Sequence, residues 1–191
     1  MGARDQQVTI SLTPYYDPNG IIQNSIGVGD TSGELYAVKD QRGFLGSTLP
    51  QTVNASNVLY MTFVNPVNSG VDCIVDAREL AANIAYNGTV LEYQAYVNPT
   101  ATLTQTATTA NRHAGSTVPK AQMFWQVAPS ITMGGSLSVG GFLPLSGVTQ
   151  RLDFPTIIPP GHGFGYSILG SGGGALQNQA RLCINVQWFE E

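Results

Sequence analysis

The sequence predicts an all-β protein, an antiparallel β-sandwich of jelly-roll-like form with an N-terminal arm. Three observations carry that prediction. Short runs with apolar residues at alternate positions recur along the chain, each bounded by clusters of Gly, Pro, Asn or Asp. Helical periodicity is nearly absent. The composition is 42% hydrophobic and 10% charged over 191 residues, with 22 glycines and 11 prolines, which suits a chain with a real core and many turns. Residues 1–32 read as the arm or an edge segment, and residues 33–191 as the sandwich domain.

Taken in order, Gln7–Leu12 is the first strand-like run. Residues 13–34 are turn-rich, around Asp17-Pro18-Asn19-Gly20, and Leu35–Val38 follows them. Val58–Val64 is a strongly apolar run that stops at Asn65-Pro66-Val67-Asn68-Ser69-Gly70. Residues 71–97 read as one long hairpin turning at Asn87-Gly88, because Asn-Gly supplies the positive φ that a tight two-residue turn needs. The composition of Asp76–Ala85 also suits a helix, so a helical turn near Leu80 is the alternative. The stretch 100–120 is rich in Thr, Ala and Asn without periodicity and reads as a long surface loop.

Met123–Val127 and Ile131–Val139 are the next strand-like runs, punctuated by Gly134-Gly135 and Gly140-Gly141. The last third holds Gly163–Leu169 and residues 180–189 on either side of Gly170-Ser171-Gly172-Gly173-Gly174, after a Pro159-Pro160-Gly161 corner. That is hairpin grammar. Within the final run, Leu182, Ile184, Val186 and Trp188 form a uniformly apolar alternate set. They should face the core, with Trp188 packed inside the sandwich or against a neighbouring subunit.

Charge excludes several function classes. The chain has net charge −4 and two lysines, Lys39 and Lys120, so it lacks the basic stripe that nucleic-acid binding requires. No run approaches the roughly 18 apolar residues of a membrane span. The N-terminus has no signal-peptide core, which predicts synthesis in a cytoplasm. Met1-Gly2 lacks the downstream Ser/Thr of a myristoylation site. In that compartment the sequons Asn54-Ala55-Ser56 and Asn87-Gly88-Thr89 are chance matches. Cys73 and Cys183 sit among apolar neighbours and read as buried free thiols.

No constellation points to catalysis, a cofactor or a metal. His113 and His162 fall in turns and have no partner at ligand spacing. Gly165-Tyr166-Ser167 misses the spacing of a nucleophile elbow. The glycines around Gly27 and Gly161 miss the phosphate-cradling pattern. Asp72 and Asp76 on one strand face would stand about 13 Å apart, too far to share one cation. Adding Glu79 leaves a solvated sheet face as the simpler account.

Several pieces together resemble small virion proteins of tailed bacteriophages. They are Gly33–Val38, Leu59–Gly70 with its Asn65-Pro66 and Ser69-Gly70, Tyr86–Thr89, Tyr96–Thr100, Ile157–Gly161 and Ile184–Glu191. The resemblance implies a non-enzymatic head decoration (capsid cement) protein with a jelly-roll-like sandwich, homotrimeric, located on the virion capsid. Its partners would be the major capsid protein and its own copies, with no nucleic acid, no membrane and no cofactor. Residues 1–32 match no part of that pattern and could reach a neighbouring subunit. The competing expectation is a tail- or fibre-associated module that binds host glycans. Its best platform in the sequence is Tyr15 and Tyr16 with Asp17 and Asn19, and Trp188 would join it if exposed. A depolymerase-like enzyme is the third class.

Overall fold

The computed structural model describes residues 15–16, 22–23, 42–54, 56–84, 90–143, 149–152, 156–171 and 180–191. Its strands are β1 (Tyr15–Tyr16), β2 (Ile22–Gln23), β3 (Gly43–Ser47), β4 (Gln51–Val53), β5 (Val58–Val64), β6 (Cys73–Ile84), β7 (Val90–Val97) and β8 (Gln105–Thr106). They continue as β9 (Thr108–Asn111), β10 (Gln122–Ala128), β11 (Ser136–Leu143), β12 (Thr149–Leu152), β13 (Thr156–Ile158), β14 (Gly163–Ser171) and β15 (Ala180–Glu190). Every pairing is antiparallel, and two sheets pack face to face as a β-sandwich. One sheet runs β11-β7-β14-β5-β10-β8. The other runs β12-β6-β15-β3-β9, with β13 also on β6 and β4 also on β15.

The core between the sheets is an aromatic cluster. Trp188 of β15 packs edge-on against Phe63 of β5 at 5.2 Å between ring centres, and lies 5.7 Å from Phe44 of β3. Phe63 in turn stacks on Phe164 of β14 at 5.1 Å. Offset and edge contacts of this kind add to the burial of large apolar surface. A Cβ at Gly46 would come within 2.9 Å of the Met123 sulfur and 3.1 Å of the Trp188 ring, so bare backbone on β3 makes room for the indole.

β15 is the central strand of its sheet, and Ala180, Leu182, Ile184, Val186 and Trp188 face inward as the alternation predicts. Its neighbour β6 carries an irregularity. Gln187 pairs with Ala77 but Trp188 with Val75, so Asp76 is an extra residue in the ladder. The bulge shifts the inward set from Cys73 and Val75 to Arg78, Leu80 and Ala82. The helical alternative rests on the Ala, Leu, Glu and Arg content of Asp76–Ala85, and tertiary pairing with β15 overrides that propensity. The helical turn considered near Leu80 does not form; residues 73–84 are strand.

The hairpin expected over 71–97 is not present. β6 lies in the seven-stranded sheet beside β15, and β7 lies in the six-stranded sheet beside β14. The chain crosses between layers there, and Asn87-Gly88 falls outside the described residues. β14 and β15 likewise belong to different sheets. A local turn signal specifies that the chain reverses, not which sheet the next strand joins. The 100–120 loop also needs correction, because it contains β8 and β9. The strand expected over Ile131–Val139 begins only at Ser136, after Gly134 and Gly135 at φ 63° and 66°, and continues through Gly140-Gly141 to Leu143. Of the expected arm, only β1 and β2 are described, paired as a two-residue ladder. Gln7–Leu12 and Leu35–Val38 lie outside the described residues.

A buried asparagine closes one end of the sandwich. Asn65 follows β5, and its Nδ2 donates to Val71 O (2.7 Å) and Ile158 O (2.9 Å). Its backbone bonds both ways with the Pro159–Gly163 corner, Asn65 N to His162 O and Gly161 N to Asn65 O. Lys120 Nζ adds a bond to Ser69 O at 2.9 Å. Three turns distant in sequence are thereby held as one surface.

Candidate functional site

A surface groove lies between β4 of one sheet and β8 and β10 of the other. Pro50 and the β4 residues Gln51 and Thr52 form one wall; Gln105 of β8 with Trp125 and Gln126 of β10 form the other. The groove is wide open to solvent, with a volume of about 520 Å³. The ladder pairs Trp125 with Gln105, which sets the indole beside the amide. Trp125 has the inward parity of Met123 but lies where the sheets diverge, so it is half-buried and packs on the edge of the core.

Local bonds organise both walls. Gln51 Nε2 donates to Thr48 O at 2.6 Å, and Thr104 Oγ1 donates to Gln126 Oε1 at 3.4 Å. Leu49, just before Pro50, sits at φ 55° and is 51% exposed. A non-glycine residue in that region costs about 1–3 kcal/mol and is held only when its surroundings fix it. Here the Ser47 hydroxyl accepts from Leu49 N, while Thr48 N donates to Ile184 O and Thr48 Oγ1 accepts from Ile184 N. The groove lining contains no carboxylate, imidazole, thiol or cation. Such a surface offers an aromatic ring and neutral donors and acceptors, and its lining contains no acid–base pair.

The residues singled out from sequence fall elsewhere. Tyr15 and Tyr16 form β1, paired with β2 through Tyr15–Gln23 and Tyr16–Ile22. Asp17 and Asn19 lie outside the described residues. Trp188 is fully buried and presents no platform. His113 is exposed in a turn held by its own N–H to Asn111 Oδ1. His162 Nδ1 lies 3.3 Å from Asn98 Oδ1, which also accepts from Gly163 N, so this ring belongs to the closed end. Among the described residues no group of three or more His, Cys, Asp or Glu side chains is placed to hold a metal ion. Trp125 was legible only as one more aromatic in the Met123–Val127 run, and nothing local marks it as lining a groove.

The ionisable groups inside the sandwich serve packing. Arg78 is buried with its guanidinium 4.6 Å from the centre of the Phe164 ring, a cation–π contact, and burial lowers its pKa. Burial also pushes the neighbouring Tyr166 hydroxyl up to about 12, against the pull of Arg78. Both cysteines are free thiols. Cys73 is fully buried, and burial, aided by the charges of Glu190 and Asp72, raises it from 9.0 to about 12. Cys183 is partly exposed and donates to Asn185 Oδ1 at 3.3 Å.

Glu190, buried at the end of β15, is the acceptor that ties the 112–121 segment to the core. Its carboxylate takes bonds from Lys120 N at 2.8 and 3.1 Å, Ala121 N at 2.9 Å and the Trp188 indole N–H at 3.3 Å.

Together these features define an all-β sandwich whose described residues include an uncharged groove and a tightly interlocked end. Compared with known proteins, the chain matches no family model, no curated protein and no solved structure.

Proposed function

We propose that this chain is a non-enzymatic structural protein of a tailed-bacteriophage virion, which decorates the head and stabilises it through protein–protein contacts. The observation that carries the reading is the interlocked end. It is built by Asn65–Gly70 and Ile157–Gly161, two of the segments in which the sequence resembles virion proteins. The turns joined there display Val67 and Val118 at 74% and 76% exposure, with Ile157 at 65% on the adjoining strand. Rigid turns presenting apolar side chains suit a contact made without ion pairs, as a chain with 10% charged residues demands. The partners are the major capsid protein and further copies of the chain, with three-fold association implied by the resemblance. The protein would lie on the capsid surface.

Antibody labelling of purified virions tests this reading: label over heads is the expected result. Binding to undecorated heads should also survive high salt, since screening weakens ionic contacts but not apolar ones. Release at modest ionic strength would remove the apolar head contact.

The second reading is a tail-associated module that binds neutral host glycans. The Trp125 groove favours it, because an indole flanked by Gln51, Gln105 and Gln126 offers stacking and uncharged hydrogen bonds to a sugar. Label on tails, together with a change in Trp125 fluorescence on adding neutral oligosaccharides, would select this reading. Trp125→Phe should abolish the fluorescence response.

A further inference from the structure

We draw no further inference here: the strongest candidate, the apolar edge strand β11 at the end of the six-stranded sheet, where Leu137, Val139 and Phe142 are exposed, carries nothing because nothing in the structure shows what covers it.

Discussion

β15 and β11 are both long strands of one sandwich, 11 and 8 residues, yet they meet opposite fates. β15 has β6 along one side and β3 and β4 along the other, and its inward residues from Ala180 to Trp188 are buried. Among the described residues β11 has a single partner, β7, and of its own residues only Leu143 is buried. Backbone geometry alternates the side chains of both strands in the same way. What differs is the cover. A central strand turns alternation into burial because the opposing sheet and two neighbours exclude water. An edge strand leaves the same alternation largely exposed.

The sharpest test of the contrast is Trp188→Ala, which removes the side chain contacted by Phe44 and Phe63. It should cost about 3–5 kcal/mol, read as a lower urea midpoint with a cooperative transition retained. A midpoint close to that of the unsubstituted chain would mean that β15 is not the anchor of the core.

Glu190→Ala comes next. It strips the acceptor from Lys120 N, Ala121 N and the Trp188 indole, and should destabilise by about 1–3 kcal/mol through buried donors left unpaired. Amide exchange at Lys120 and Ala121 should accelerate more than exchange along β11. Equal acceleration in both places would blur the division between centre and edge.

Alkaline titration probes the same core more gently. Cys73 and Tyr166 have folded pKa values raised to about 12, above their ordinary values of 9.0 and 10.0. The unfolded chain therefore releases these protons first, and the stability they contribute is full below about pH 9 and lost as pH rises towards 12. Unfolding midpoints measured across that window should fall steadily. In the native state at pH 8, a thiol reagent should modify Cys183 in preference to Cys73. The smallest effect belongs to the edge: Phe142→Ser should change the stability of the dilute chain by no more than about 0.5 kcal/mol. A loss several times larger would place Phe142 in the core of its own chain.

Several elements were legible in the sequence almost to the residue. Val58–Val64 is β5, Met123–Val127 lies within β10, Gly163–Leu169 within β14, and residues 180–189 within β15. All are apolar runs bounded by turn residues, where local pattern and burial agree. Legibility failed where those two part. β11 was cut short at Gly140-Gly141 because glycine weakens strands as a rule, whereas here both glycines continue the pairing with β7. β8 and β9 were missed because short polar edge strands bury too little to leave an apolar period. The groove was missed because its walls come from β4, β8 and β10, whose sequences carry no mark of one another.

By itself the sequence determined the all-β class, most of the long strands and the inward face of β15, since alternation with period two is a property of each segment alone. The tertiary structure decided which sheet each strand joined, sending β6 and β7, and again β14 and β15, to opposite layers where turn chemistry had suggested hairpins. It also decided which aromatic was buried, Trp188, and which was left beside a groove, Trp125. The physical reason is that a strand's backbone hydrogen bonds fit almost any partner. The choice among partners rests on side-chain packing between the two layers, and that packing exists only once distant segments have met.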